Sequence, residues 1–284
     1  MGYSIFDETM VDMTWLEVEK AAKEGAIVLL PTGVIEEHGP HMGLGVDSYC
    51  SYLTCKMTRR ELETKGIKTL IAPPFYWGIN NATGSFSGSF TVRKETMKNV
   101  LYDILASLKR WGITYVFNIN WHGDHEHNTT ILEAVKEARI DTGIRAYCVL
   151  DDNHAKRFGL SGKEAHVILW RNSKTTKLPS GGLQIHADMT ETSVMAHYFP
   201  DQVNVELTRT LKSTNLTFDD LRVWRQGWSD ARKVTPLGYF GDPASFDPME
   251  GKQLMEDDAR SLAHLIEEFL KGDYKVPEIY IKKN

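Results

Sequence analysis

The sequence predicts an α/β fold, a three-layer αβα sandwich with a mostly parallel central sheet, built as a single domain over residues 1–284. Three observations carry this. Short apolar runs such as AIVLL at 26–30 alternate with longer segments of helical periodicity. The runs are apolar at every position, as a strand covered on both faces requires. Three helical segments stop at a glycine, namely Gly25, Gly66 and Gly112.

Each element follows from local chemistry. Residues 14–24 form the first predicted helix: Thr14 and Glu17 make a capping box, and Leu16, Val18, Ala21 and Ala22 supply its apolar positions. Strand 26–30 comes next. A helix starts after Asp47 and ends near Gly66, and LIAPPF at 70–75 is the second strand. Residues 94–111 place Met97, Val100, Leu101, Ile104, Leu105, Leu108 and Trp111 at helical spacing. YVFNIN at 115–120 and IRAYCVL at 144–150 are strands, separated by a helix at 128–141. Residues 151–185 carry mixed signals. A helix at 190–199 ends before Pro200, the polar stretch 201–250 with Trp224 and Trp228 reads as loops, and a last helix covers 251–270.

Composition narrows the function. Apolar residues at 42% and charged residues at 25% suit a globular enzyme with a proper core. The net charge of −5 gives no support for a nucleic-acid or membrane-surface partner. No apolar run reaches the length of a membrane span, and the acidic start MGYSIFDETM lacks the plan of a signal peptide. Phe6 also stands where a myristoylation motif has Ser or Thr. Cys50, Cys55 and Cys148 are odd in number and lack CxxC spacing, which points to a reducing, cytoplasmic setting rather than disulfides.

Ligands of open α/β sheets bind beyond the carboxyl ends of the strands. Two polar clusters fall there. Glu36, His38, His41 and Asp47 follow strand 26–30, and NWHGDHEHN at 120–128 follows strand 115–120. Carboxylate and imidazole without thiolate suit zinc, manganese or iron rather than a cysteine-rich structural zinc site, and calcium would not favour histidine. Glu36, Asp47 and Asp124 bring three negative charges, which two divalent ions and one bridging hydroxide would balance. Two metal ions therefore suit the set better than one, serving to activate water and polarise a carbonyl. Each residue also has a plain role: Asp47 as a helix cap, Glu36 and Glu37 as a solvated pair, His122, His125 and His127 on a polar turn, and Glu191 as part of a cap with Asp188. No Gly-x-Gly-x-x-Gly follows the first strand, so a dinucleotide site is not indicated.

Four segments in order resemble the creatininase family: GVIEEHGPHMGLGVD at 33–47, NWHGD at 120–124, IHADMTETS at 185–193 and PLGYFGDPASFDPMEG at 236–251. The resemblance implies an αβα fold, a hexamer, and a divalent-metal hydrolase that opens a cyclic amide or formamide by attack of a metal-bound hydroxide. It further implies that Glu36, Asp47 and His122 hold one metal ion, and that His38, Asp47 and Asp124 hold the second, with Asp47 bridging. Asp124 would thereby also serve catalysis. His186 is then the proton carrier, and Glu191 supports it or fixes the local helix. Trp121, His125, Ser87 and Asp188 are the expected substrate contacts, Trp121 as an apolar wall. The departures from the family pattern surround this cavity. Trp121 replaces a small residue, His125, Glu126 and His127 replace a plainer sequence, and Phe86, Ser87, Gly88 and Ser89 replace Phe-Pro-Gly-Thr. Leu183, Gln184 and Ile185 stand in place of glycines. These changes weigh against creatinine itself. Two readings stand beside cyclic-amide hydrolysis: carbon–carbon hydrolysis of a cyclic keto-polyol such as an inosose, and a non-catalytic metal-binding protein.

Overall fold

The structure, a computed structural model, describes residues 4, 6–170 and 182–276. Along the chain the elements are α1 (Trp15–Lys23), β1 (Ile27–Thr32), α2 (Val46–Thr64), β2 (Thr69–Ile71), α3 (Lys94–Arg110), β3 (Tyr115–Asn120), α4 (His125–Thr142), β4 (Arg145–Asp151), α5 (Asp152–Arg157), β5 (Val167–Trp170), α6 (Met189–Tyr198), α7 (Val205–Thr208), α8 (Phe218–Trp224), α9 (Trp228–Val234) and α10 (Pro248–Lys271). The five strands form one parallel sheet in the order β2-β1-β3-β4-β5.

Alternation along β1 explains the layers. Val28 and Leu30 point into a core closed by Ala21 and Ala22 of α1, Met97, Leu101 and Leu105 of α3, and Ile131 and Val135 of α4. Ile27 and Leu29 point to the other face, where Cys55 and Leu62 of α2 and Leu262 and Ile266 of α10 cover them with Phe117 and Tyr147. Both faces are covered, so the middle of each strand is mostly apolar, and the buried Asn118 of β3 donates to Leu30 O and Thr32 Oγ1. The three-layer expectation is met. A third cluster, with Val46, Cys50, Val194, Met195 and Met255, joins α2, α6 and α10. There α6 approaches α10 so closely that a Cβ on Gly251 would lie 2.3 Å from the backbone of Ser193.

Most predicted elements lie within a residue or two of their observed bounds, and the differences have physical causes. Thr14 caps α1 with both bonds of the capping box. Strand β2 stops at Ile71, short of the expected 70–75. Pro73 and Pro74 lack the N–H groups a ladder needs, and Phe75 rejoins only through one isolated bridge to Thr32. Helix α4 begins at His125, three residues earlier than expected, because Asp124 caps it. Strand β5 and helix α5 lie in the stretch of mixed signals, of which 171–181 are outside the described residues, as are Met1 and Gly2. The supposed loops at 201–250 contain α7, α8 and α9, each of only four to seven residues.

Candidate metal centre

Strand order decides where the site forms. The chain leaves β1 toward β2 on one side, and β3 lies on the other. The loops after β1 and β3 therefore face each other across the switch point, where a crevice opens. The β1 loop carries Glu36, Glu37 and His38, and the β3 loop carries His122. Asp47 projects from the first turn of α2. Gly33 lets the β1 loop pass close to that turn, since a Cβ there would come within 2.8 Å of the Asp47 carbonyl carbon.

The side chains meet in two groups that share one carboxylate. In the first, His122 Nδ1 lies 3.0 Å from Glu36 Oε1 and 3.2 Å from Asp47 Oδ2. In the second, His38 Nε2 lies 3.8 Å from both Asp47 Oδ1 and Glu191 Oε2. His186 closes the rim, with Nδ1 3.9 Å from Glu36 Oε1. The sets Glu36–Asp47–His122, His38–Asp47–Glu191 and Glu36–His38–His186 each offer three ligand atoms close enough for one ion.

Hydrogen bonds behind the site turn the imidazole lone pairs inward. A carbonyl oxygen only accepts, so His122 Nε2 donates to Ile79 O at 3.0 Å, His38 Nδ1 to Glu36 O at 3.1 Å, and His186 Nε2 to Glu37 O at 2.8 Å. In the neutral rings the opposite nitrogens face carboxylate oxygens. His38 Nε2 and Asp47 Oδ2 are buried without a hydrogen-bond partner. Acceptors crowded against acceptors in a buried space need a cation, and outer-sphere carbonyls that fix a ring in this way are usual for metal-bound histidine. The donor set thus fits divalent ions.

Burial holds the Glu36 carboxyl above its usual range. Burial pushes Glu191 up to about 8 and pulls His38 down to about 3. Burial also opposes the charge on Asp47, yet contact with His122 keeps its pKa below normal. His186 is pulled down by burial, but the charges of Glu36, Glu37 and Glu191 outweigh this and raise it well above the ordinary imidazole value.

Of the expected ligands, Glu36, His38, Asp47 and His122 come together, and Asp124 stands apart from them. Asp124 Oδ1 accepts from the N–H groups of Glu126 and His127 at 2.8 and 3.1 Å, and Oδ2 accepts from Asn81 N at 3.1 Å. The carboxylate is occupied as the cap of α4, and among the described residues it belongs to none of the ligand groups. Glu191 takes the equivalent place beside His38. Asp188 likewise caps α6, accepting from Thr190 N and Glu191 N, so its carboxylate is turned to backbone rather than to the cavity. Trp121 donates to Thr54 Oγ1 at 2.9 Å and packs among the residues between α2 and α6. His125 is exposed at the start of α4, 5.4 Å from the Phe158 ring, and Ser87 is exposed in the loop before α3. His127, fully buried, donates to Asn120 Oδ1 and supports the β3 loop.

Several supporting residues had no mark in the sequence. Glu37 holds His186 from behind with both its carbonyl and its carboxylate, the latter at 3.4 Å. Thr83 donates to the second oxygen of Glu36. Phe240 pairs with His186 in an antiparallel bridge. Ala187, fully buried, has φ of 48°, a left-handed conformation that costs a non-glycine residue on the order of 1 kcal/mol or more. The Glu191 carboxylate holds it there by accepting from Ala187 N at 2.6 Å.

His41 lies just outside the cluster. It is buried, with Nε2 3.0 Å from Thr192 Oγ1, and burial together with the charge of His186 lowers its pKa to about 4. Its neutral form is the one the fold accepts. Stability from this group is therefore full above the unfolded value of 6.5 and falls as the pH drops toward 4. The slope approaches about 1.4 kcal/mol per pH unit. Urea unfolding of metal-free protein should show the wild type losing stability relative to His41→Gln between pH 6.5 and 4; a pH-independent difference would reject the assignment.

The sequence profile of the family described as creatinine amidohydrolase matches residues 11–266. The chain belongs to the creatininase family. Among characterised members, it is 26% identical over 281 residues to the creatinine amidohydrolase of Pseudomonas putida, covering 94% of this chain and 98% of that protein. It is 27% identical over 236 residues to the mycofactocin precursor peptide peptidase of Mycobacterium ulcerans (strain Agy99), covering 81% and 80%. Creatininase structures share the fold. A Zn–Zn type mutant creatininase aligns with a TM-score of 0.67 at 20% identity, covering 94% of this chain and 99% of that one. A creatininase designated Mn aligns with a TM-score of 0.68 at 19% identity, covering 92% and 98%. The family and these relatives support a hydrolase. A groove of about 850 Å³ between α1 and α3 contains none of the ligand residues. No helix among the described residues is long and apolar enough to cross a membrane.

Proposed function

We propose that the protein hydrolyses amide C–N bonds with two divalent cations, one held by Glu36, Asp47 and His122 and the other by His38, Asp47 and Glu191. The observation that carries this is the pair of three-ligand groups sharing Asp47, with the lone pairs of His122 and His38 turned toward it by carbonyl hydrogen bonds. Cations bound there would activate a water molecule and polarise the amide carbonyl.

The remaining residues do ordinary acid–base and positioning work. His186 presents Nδ1 to the cluster while Nε2 stays bonded to Glu37 O, so Nδ1 is the atom that can release a proton to the leaving nitrogen. Glu37 stabilises the imidazolium between turnovers. Ala187 and the bridge to Phe240 fix the ring's direction. The named activities of the relatives, an amidohydrolase and a peptide peptidase, favour amide over carbon–carbon chemistry.

Metal analysis separates this ligand set from the one with Asp124. Glu191→Gln should reduce the bound divalent ions from two to one per chain. Asp124→Asn keeps an oxygen able to cap α4 and should retain both. The reverse result would return Asp124 to the second site. A substrate panel of cyclic amides, formamides, peptides and keto-inositols should show turnover confined to the amide compounds; turnover of the keto-inositols alone would overturn the amide reading.

A further inference from the structure

The face formed by α1, α3 and the chain after β2 is apolar and exposed, and none of the proposed ligands lies on it. Its groove of about 850 Å³ is lined by Val11, Trp15, Pro73, Val100, Ile104 and Trp111. A second groove of about 480 Å³ shares Pro73, Val100 and Ile104 with the first and extends to Trp77. Trp15, Trp111 and Trp77 are 72%, 48% and 47% exposed, which at about 250 Å² per indole side chain presents roughly 400 Å² of ring. Scattered exposed apolar residues are ordinary. Three tryptophans on connected grooves are not, since they alone reach the range of about 300–600 Å² in which a monomer's largest apolar patch is often functional.

Helix α3 carries two apolar stripes. Met97, Leu101, Leu105 and Leu108 are buried and face the core. Val100, Ile104, Ser107 and Trp111 recur three or four residues apart and line the groove instead. Packing within the chain accounts for the first stripe and leaves Val100 and Trp111 exposed. Strand pairing does not explain the face. Strand β2 is at the sheet edge, but it has only three residues, and Pro73 and Pro74 follow with no N–H to offer an added strand.

The charges on the groove suit a second copy. Asp103 and Arg110 both border it, and seven residues of helix are nearly two whole turns, so they share one side of α3 with the short Ser107 between them. Among the described residues neither forms an ion pair, and Arg110 Nη2 donates to Ser107 Oγ at 3.1 Å. Glu19, another acid on the groove, is already paired with Lys23. A copy turned by a twofold axis near Ser107 sets α3 antiparallel to its counterpart. Asp103 then faces the partner's Arg110, the reciprocal pair forms by symmetry, and Trp111 lies toward the partner's Ile104. The face is therefore self-complementary in charge as well as apolar, as an isologous interface requires.

We propose that this face is a twofold interface between two copies of the chain, centred on α3. Buried on both copies, the three tryptophans alone remove roughly 800 Å² from water. Val11, Val100 and the polar rim carry the total past the 1,000 Å² or so that a specific interface needs. The proposal goes beyond amide hydrolysis and does not depend on it.

The test is the mass of the full-length protein by sedimentation and light scattering at micromolar concentration. Asp103→Arg and Arg110→Asp each create two like-charge pairs across the axis. Each should raise the dissociation constant by about a hundredfold and halve the particle mass. The doubly exchanged chain, Asp103→Arg with Arg110→Asp, should regain the wild-type mass, and so should an equimolar mixture of the two single variants. Rescue by mixing cannot come from misfolded chains. Trp111→Glu should also halve the mass while the circular dichroism spectrum stays that of the wild type, because the ring is exposed. A wild type that sediments as a single chain would overturn the interface. So would single variants that keep the wild-type mass, or a double exchange and a mixture that both fail to restore it.

Discussion

Asp47→Ala should abolish turnover and strip the protein of both cations. Asp47 is the only residue common to both proposed ligand sets, with Oδ2 toward His122 and Oδ1 toward His38. Metal ions contribute several kcal/mol to the transition state. At about 1.4 kcal/mol per tenfold, the expected loss is on the order of 10³-fold or more. Elemental analysis after gel filtration should find little zinc or manganese in the variant. The thermal stabilisation that added metal gives the wild type, about 2.7 kcal/mol at a hundredfold excess over Kd, should vanish with it. The helix itself will survive, because α2 continues for 19 residues and Asp47 makes no capping bond to it. A variant that keeps two ions and normal turnover would dismantle the proposed centre.

His186→Ala should separate chemistry from metal binding. The ring makes one firm bond, Nε2 to Glu37 O, and its Nδ1 stands farther from Glu36 than the His122 nitrogen does, 3.9 Å against 3.0 Å. If it carries the proton, the variant retains both ions while kcat falls by about 10²- to 10⁴-fold. The alkaline side of the pH–rate profile, where the wild-type imidazolium loses its proton, should flatten at the same time. In the metal-free cluster the surrounding carboxylates raise its pKa, and bound cations oppose that rise by neutralising the same charges. Loss of one metal ion from the variant would instead make His186 a ligand, in the group it can form with Glu36 and His38.

The fold was readable wherever the signal was local. Apolar runs, the Thr14 capping box and terminal glycines depend on a few adjacent residues, and β3 fell on its expected bounds. Strand β2 was overextended because two prolines in an apolar run alter hydrogen bonding without altering hydrophobicity. The short helices α7 to α9 lack the length over which periodicity accumulates. At the centre, Glu36, His38, Asp47 and His122 lie in segments with a visible excess of acids and imidazoles, and the structure gathers them. Asp124 and Glu191 each stand near the start of a helix, where an acid serves equally as cap or ligand. Sequence cannot tell which backbone N–H groups will claim an oxygen, and here they claim Asp124 more fully. Glu37 meets His186 across a long span of chain, so nothing beside it in sequence announces the contact.

The bond between His186 and Glu37 closes a span of 149 residues. During synthesis, a chain that has emerged only through α4 already holds Glu36, Asp47 and His122, yet lacks Glu191, His186 and the Phe240 bridge. It can offer at most an open half-cradle with water on one side. On the proposed ligand sets, capture of the second ion would wait until the segment carrying His186 and Glu191 has docked, so loading of that site would follow completion of the chain.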